Sequence, residues 1–354
     1  MIDLDNPKVL NQYDSEGMLD CLHEMPQLCQ QAWQMAMDFD LPLDYAKVNK
    51  VVISGMGGSA IGGDLAGSLV ASEARAPIFV SRDYQLPAFI DAETLVIASS
   101  YSGMTEETLS SFEQTLNSEA KKLVITTSGR LKTMAQERDI PVFSFDYKAQ
   151  PRAALPFSFL PVLCFMQKLG FIKDKSAEVA ETVQVQKRLA EIINENVAQA
   201  NNPAKQLAAK LHGRFSVIYG AGILSEVAHR WKTQLNENSK AWAFYEAFPE
   251  LNHNAVVGYQ FPPELADKIV VVLLRFPLLP KRIQLRYQVT CQLLERARVD
   301  YQFADAEGSS PLSQMMSLVL FGDYVSYYLA ILNKIDPTPV KAIDYLKEQL
   351  GKGK

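Results

Sequence analysis

The chain has 354 residues, enough for about two domains, and 48% of them are hydrophobic while 21% are charged. These proportions are typical of globular proteins and exclude disordered, collagen-like and coiled-coil chains. The net charge of -5, with no basic block, argues against a nucleic-acid partner.

Taken in chain order, the N-terminal residues do not indicate export or membrane insertion. The segment Ile2 to Asp5 is acidic, where a secretory signal would be basic and then apolar. No apolar run of about 18 residues is free of charge, as a membrane span would require. The cysteines form no CxxC pair; they are Cys21, Cys29, Cys164 and Cys291. We therefore expect a cytoplasmic protein with reduced thiols and no membrane partner.

The first 150 residues alternate between strand and helix patterns. Apolar residues at helical spacing over 15–38 predict one or two helices, interrupted by Pro26. Short apolar runs then predict strands at 51–53, 77–80, 94–98, 122–126 and 142–145, with helices after the first, third and fourth of them. This alternation is typical of a parallel sheet covered by helices on both faces.

A helical stretch separates this series from a second one. Helix patterns dominate from 156 to 212, with a break at Asn201 to Pro203. Strands are then predicted at 215–219, 269–274 and 299–303, with helices through Trp231 and over 281–297. An apolar helix over 312–332 and a terminal helix to about Leu350 follow. Two halves that each open with strand, glycine turn and helix suggest a duplicated domain.

Two loops of the first half combine glycine with hydroxyl side chains. The residues are Gly57, Gly58 and Ser59 in the first loop and Ser100, Ser102 and Thr105 in the second. Both loops follow predicted strands, at the edge where open parallel sheets bind ligands. Glycine lets the backbone approach an anion, and hydroxyls and helix N-termini donate hydrogen bonds to it. A phosphate fits this chemistry, and the presence of two such loops weakens the alternative that the glycines only shape a turn.

Other ligands receive less support from the residues. The run Gly55 to Ala60 fits the dinucleotide pattern GxGxxA, but the nearest acid after the second strand, Asp83, is rather distant. Neither loop is followed by a Walker lysine, and no His, Cys and acidic residues cluster at metal-ligand spacing. The turn Gly220 to Gly222 has no hydroxyls and is expected to pack rather than bind phosphate.

The second half contributes a carboxylate and a histidine. Glu237, between two asparagines, falls at the end of a predicted helix, where a carboxylate is unfavourable to the helix dipole. It is either functional or a solvated glutamate beside helix-stopping asparagines. His253 stands in a polar loop. The other histidines, in helical patterns or at their ends, are expected to be surface or packing residues; they are His23, His212 and His229.

Five motifs occur in order along the chain. They are Gly57-Gly58-Ser59-Ala60, Ser100 to Thr108, Pro151-Arg152-Ala153-Ala154, Asn236 to Lys240, and Pro249 to Asn254. Together they resemble the bifunctional phosphoglucose/phosphomannose isomerases, which consist of two sugar isomerase (SIS) domains, and the likeness extends over about residues 50 to 350.

The resemblance implies an α/β fold of two SIS-type domains, each a parallel sheet flanked by helices, with a C-terminal helix that closes the active site. The expected divisions are 1–155, 156–210, 211–335 and 336–354. The implied activity is the reversible conversion of glucose 6-phosphate and mannose 6-phosphate into fructose 6-phosphate, without metal or organic cofactor, as in glycolysis and gluconeogenesis. A non-catalytic SIS regulator and an SIS isomerase of another sugar phosphate are the alternatives.

The resemblance also implies a role for each motif. Ser59, Ser100, Ser102 and Thr105 would hold the phosphate, with Gly57 and Gly58 lining the site. Glu237 would be the base, His253 would open the sugar ring, and Arg152 would stabilise the intermediate. A lysine of the terminal helix completes the family's site, and Lys347 is our choice, with Lys341 as the alternative. The family's sites lie at a dimer interface and take the histidine from the partner, which implies a homodimer here.

These roles agree with general chemistry. A histidine with a near-neutral pKa suits proton exchange at the ring oxygen and the anomeric hydroxyl. A carboxylate can carry a proton between C2 and C1 through a cis-enediolate. The developing oxyanion needs a fixed positive group, and arginine stays charged. These residues do not indicate which of the two sugars is preferred.

Overall fold

The computed structural model describes residues 2–352, and its first half is built on a sheet of five parallel strands. The strands are β1 (Lys50–Ser54), β2 (Ile78–Ser81), β3 (Thr94–Ser99), β4 (Lys121–Thr126) and β5 (Val142–Ser144). Their order is β2-β1-β3-β4-β5. Every residue of β3 is buried, because helices cover both faces of the sheet. The predicted parallel sheet is confirmed.

Five helices belong to this half: α1 (Pro7–Tyr13), α2 (Met18–Asp38), α3 (Gly57–Val70), α4 (Glu106–Leu116) and α5 (Gly129–Gln136). The N-terminal helical pattern forms two helices, and α2 continues through Pro26. Both α3 and α4 begin in the loops that the sequence analysis singled out, so their N-termini face the candidate phosphate site.

The second half is built on four parallel strands and their helices. The strands are β6 (Phe215–Ala221), β7 (Ala243–Phe248), β8 (Ile269–Arg275) and β9 (Asp300–Asp305), in the order β7-β6-β8-β9. The remaining helices are α6 (Leu155–Lys168), α7 (Ser176–Ile193), α8 (Pro203–Leu211), α9 (Ser225–Glu237), α10 (Lys281–Ala297), α11 (Pro311–Leu332) and α12 (Lys341–Lys352). The predicted terminal segment 336–354 extends two residues beyond the described range.

A shared helical layer joins the halves. The largest buried cluster extends from Leu4 to Leu332 and takes residues from both sheets and the helices between them. Among the described residues, α11 alone is long and apolar enough to match a membrane span, but 94% of the matching window is buried inside the protein. It therefore acts as a core helix, packed against α7, α8 and α9.

Candidate active site

The two polar loops lie where the strand order of the first sheet reverses. β1 pairs with β2 on one side and with β3 on the other, so the loops after β1 and β3 flank a crevice at the carboxyl edge. This is the position where open α/β sheets bind ligands. The backbone of Gly57 at the start of α3 is left-handed, with φ of +50°, and the space beside it is open.

Hydrogen bonds join the hydroxyl residues of these loops. The backbone N–H of Tyr101 donates to Oγ of Ser59 at 3.3 Å, which ties the second loop to the first. The hydroxyls of Ser100 and Thr105 are 2.8 Å apart, and the N–H of Met104 donates to Oγ of Ser102 at 3.2 Å. Ser59 and Ser100 are buried, whereas Ser102 is exposed. The structure therefore brings the predicted phosphate-binding residues together.

A third loop supports the second one. Gly103 and Gly129 have φ of +62° and +81°. A side chain on Gly103 would collide with the carbonyl of Ser128, and one on Gly129 would collide with the carbonyl of Ser102. Glycine is needed at both positions, because only hydrogen leaves room for the loops after β3 and β4 to touch.

Arg152 lies directly behind the first phosphate loop. It belongs to the short 3-10 turn Pro151–Ala154 and is only 3% exposed. A methyl group on Gly58 would be 3.1 Å from the carbonyl oxygen of Pro151 and 3.3 Å from the Cα of Arg152. The hydroxyl of Ser158 donates to the carbonyl of Gly58 at 2.9 Å, which holds the loop against this turn.

The guanidinium of Arg152 uses all three of its nitrogens. Nε donates to Oδ1 of Asn238 at 2.6 Å, and Nη1 lies 3.5 Å from Oε2 of Glu237. Nη2 donates to the carbonyls of Pro337 and Thr338, both at 2.8 Å. Burial lowers the pKa of Arg152 and Glu237 opposes that effect; an arginine stays charged in such a site. One fixed charge thus connects the first half to Glu237 of the second.

Glu237 occupies the last position of α9. Its side chain is 28% exposed. The C-terminal end of a helix carries a partial negative charge, so the stabilising positive charge comes from Arg152 instead. Asn238 is fully buried, and its side-chain N–H also donates to Oγ of Ser326 at 2.9 Å. The helix has its C-cap at Asn238, as the alternative of helix-stopping asparagines expects, but this asparagine is a buried hydrogen-bond partner of Arg152 and Glu237 is paired with the same arginine.

A buried ion pair supports Arg152 from behind. Nη2 of Arg230 donates to Oδ2 of Asp323 at 2.8 Å and to the carbonyl of Arg152 at 3.3 Å. Gln234 donates to the other carboxylate oxygen of Asp323 at 2.9 Å. Burial raises the pKa of Asp323, and Arg230 opposes this. The sequence analysis missed this pair, although a lone acid within the apolar helix α11 was a signal that a buried partner exists.

Three predicted site residues stand apart from Glu237 within one chain. His253 is exposed on the 3-10 turn Glu250–His253, and its side chain makes no hydrogen bond or ion pair among residues 2–352. Lys341 and Lys347 are exposed on α12, which has no buried residue over its described length. A single chain therefore assembles the phosphate loops, Arg152 and Glu237, and leaves the histidine and both lysines at its surface.

One side-chain cluster brings together groups of the kind that can bind a metal ion, although the sequence shows no such group at metal-ligand spacing. Asp64 of α3 meets Glu226 and His229 of α9, with ligand atoms within 4.8 Å of one another. Sequence spacing could not indicate it, because α3 and α9 are far apart in the chain. Arg82 forms an ion pair with Asp64, and burial raises the pKa of Asp64 against the effect of this arginine. The cluster is therefore a charge network between the two halves, whose positive partner is already present.

The glycine turn of the second half packs against its own helix. A side chain on Gly220 would collide with the backbone carbonyl of Leu224, just before α9. This contact agrees with the expected packing role.

Comparisons with known proteins add to this geometry. Residues 200–350 match the bacterial phospho-glucose isomerase C-terminal SIS domain. The bifunctional phosphoglucose/phosphomannose isomerase of Caldicellulosiruptor bescii is 41% identical over 94% of this chain and 98% of that protein. The protein of the same name from Aquifex aeolicus is 36% identical over 88% of this chain and 94% of its own length.

Solved structures show the same architecture. The C-terminal domain of glucosamine-fructose-6-phosphate aminotransferase from Francisella tularensis superimposes with a TM-score of 0.66, over 91% of this chain and 98% of that one. Its sequence is 17% identical, so this likeness concerns the fold alone. The sequence relatives, in contrast, match over nearly the full length of both proteins, and the chain therefore belongs to the bifunctional phosphoglucose/phosphomannose isomerase family.

Proposed function

We propose that this protein interconverts glucose 6-phosphate and fructose 6-phosphate, and mannose 6-phosphate and fructose 6-phosphate. The observation that carries the proposal is the position of Arg152, packed against the phosphate-loop residue Gly58 and 3.5 Å from the carboxylate of Glu237. A sugar phosphate anchored at the loops would extend its reacting carbons toward this charge pair. The relatives' names support the same activity.

In this reaction the phosphate positions the substrate and takes no part in the chemistry. The hydroxyls of Ser59, Ser100, Ser102 and Thr105 and the backbone at Gly57 would bind its oxygens. Binding energy from such a remote group holds the reacting carbons in place, which lowers the barrier for the later steps.

Glu237 would move the proton between C2 and C1. The cis-enediolate formed on the way carries negative charge on oxygen, and Arg152 would stabilise it as a fixed donor that needs no reorganisation. Since Arg152 is held by four protein oxygens, its orientation is set before the substrate binds.

Opening of the sugar ring and closure of the active site would each require a second copy of the chain. The side chain of His253 is exposed and makes no hydrogen bond or ion pair within the part of the chain that the structure describes, as expected of a residue that serves a neighbouring subunit. We propose a homodimer with shared sites, in which Lys347, or alternatively Lys341, completes the site as α12 closes over it.

The segments 1–155, 156–210, 211–335 and 336–354 would be the structural units of each chain. The protein would act in the cytoplasm, with side chains alone and no cofactor.

The test is a coupled assay of fructose 6-phosphate formation from each substrate, with EDTA present, for the wild type and for Glu237→Gln. Loss of a general base should lower kcat by about 10²–10⁴-fold, while binding of the sugar phosphate persists. Glu246→Gln, on the edge strand β7, is the matched control and should behave as wild type. Near-normal turnover by Glu237→Gln would contradict the assignment of Glu237 as the base. A wild type that binds the sugar phosphates without converting them would identify a regulator instead of an enzyme.

A further inference from the structure

Lys240 follows the helix that carries Glu237, and its side chain turns back toward the end of that helix. Its ammonium donates to the carbonyls of Asp336 and Pro337, both at 2.9 Å, and to that of Asn238 at 3.3 Å. Its backbone is left-handed, with φ of +50°. Glycine would adopt this conformation with less strain, and the hydrogen bonds of the ammonium give a reason for a lysine at this position.

The segment that Lys240 holds, the turn 336–338, also holds Arg152. The carbonyl of Pro337 accepts from both the ammonium and Nη2 of the arginine, and the carbonyl of Thr338 accepts a second bond from Nη2. The carboxylate of Asp336 fixes the turn itself, accepting from the N–H of Thr338 at 2.9 Å and from the hydroxyl of Ser15 at 2.6 Å.

We propose that Lys240 is a positioning residue for the isomerase reaction: its ammonium fixes the turn 336–338, and the carbonyls of this turn hold Arg152 in the orientation that faces Glu237. The inference rests on the proposed function and adds a residue to which the resemblance assigns no role. The helix α12 begins at Lys341, shortly after this turn, so the contact also lies next to the segment from which α12 extends.

The protonation of Lys240 makes this contact sensitive to pH. Partial burial of the side chain lowers the pKa of Lys240 to about 8, Arg152 acts in the same direction, and Asp336, Glu237 and Glu16 oppose it. The ammonium has three N–H donors for three carbonyls. The neutral amine has two, and its lone pair then faces a carbonyl oxygen. Turnover of the wild type should therefore fall as the pH rises through about 8.

Three variants separate the ammonium from the backbone. Lys240→Met removes the charge and the donors, Lys240→Arg keeps both and does not deprotonate, and Lys240→Gly also relaxes the left-handed backbone. Lys232→Met is the matched control, because Lys232 lies on α9 and its side chain makes no hydrogen bond or ion pair among residues 2–352. Each variant is assayed for kcat and KM from pH 6 to 10, and hydrogen exchange is measured by mass spectrometry on peptides that cover 333–340.

We expect Lys240→Met and Lys240→Gly to lose at least about tenfold in kcat with a smaller change in KM, as for a group that orients a transition-state donor. Both should exchange faster over 333–340 than the control. Lys240→Arg should keep wild-type turnover below pH 8 and extend it to higher pH. The proposal is overturned if Lys240→Gly matches wild type in kcat and exchange, or if Lys240→Arg retains the wild-type alkaline limb. A wild type without isomerase activity would refute the proposed function, while the exchange data would still report on the contact.

Discussion

Arg152 has several partners because its guanidinium is planar and presents donors in fixed directions. It reaches an amide oxygen, a carboxylate and two backbone carbonyls at once. A lysine ammonium is a point charge on a flexible stem and could not hold this set in the same geometry. These hydrogen bonds explain how the guanidinium of Arg152, a residue that is only 3% exposed, can be buried as a charged group. A buried ion is tolerated only when it is paired and hydrogen-bonded.

The pair Arg230–Asp323 makes a prediction for stability. Both side chains are at most 2% exposed. Asp323→Asn would leave Arg230 buried without a counter-charge, and we expect a loss of about 3–5 kcal/mol in the free energy of unfolding. Urea unfolding followed by circular dichroism measures it.

The control for that variant is Asp91→Asn, because Asp91 pairs with Lys50 at 2.9 Å but its side chain is 52% exposed. Exposed pairs contribute about 0–1 kcal/mol. Equal losses in the two variants would contradict the idea that Arg230 depends on Asp323 for its charge balance.

Single residues also show how far the sequence predicts the site. The phosphate loops could be located because glycine and hydroxyl residues directly follow two predicted strands, at the edge where open parallel sheets bind ligands. Arg152 and Glu237 could be singled out by resemblance, but their pairing could not be read from the residues, since it depends on how two halves pack. Asp323 shows the same limit: its partner Arg230 is on another helix, and no local pattern links them.

At the scale of elements, the contact between the loops after β3 and β4 predicts a large effect for one methyl group. Gly103→Ala must accept both a left-handed backbone and a collision with the carbonyl of Ser128. The second loop should move, and we expect kcat/KM to fall at least about tenfold because the phosphate positions the reacting carbons. Inhibition by inorganic phosphate should weaken in parallel.

Gly170→Ala is the matched control for this loop. Gly170 has φ of +77°, similar to that of Gly103, but has free space beside it. It should lose about 1–2 kcal/mol of stability and keep its kcat/KM. If the two variants had equal kinetics, the contact with Ser128 would not matter for the site.

Removal of the helix α12 should affect turnover without affecting the stability of the fold. Its described residues are all exposed, so a chain ending at Val340 should keep nearly the wild-type melting temperature. Its turnover should fall at least about 100-fold, in line with the loss of a catalytic group. Lys347→Ala should reproduce that loss and Lys341→Ala should not; the reverse result would assign the role to Lys341.

Strand β7 shows which elements escape sequence analysis. Its residues Ala243 to Phe248 form the edge of the second sheet, with Phe244 and Tyr245 exposed. A buried strand of a parallel sheet is a continuous apolar run, as in β3 and β8, whereas an edge strand is covered less and can be more polar. The aromatic residues of this segment, a residue type enriched in strands, were the available signal.

At the scale of the whole molecule, the shared-site proposal predicts complementation. Glu237→Gln and His253→Ala should each be inactive, yet a mixture exchanged under mild dissociating conditions should recover about a quarter of wild-type activity, because half of the dimers are hybrids with one intact site. Light scattering would confirm the dimers. If hybrids form but stay inactive, His253 serves the site of its own chain.

The site draws on distant parts of the chain: Arg152 bonds to Thr338, 186 residues away, and Ser15 bonds to Asp336, 321 residues away. Contacts of such separation form only after the loop between them has closed, which is slow compared with the formation of local helices and turns. During refolding from denaturant, helical circular dichroism should therefore return before enzymatic activity. A transient population of chains with both sheets formed and no working site would then be the species most exposed to aggregation.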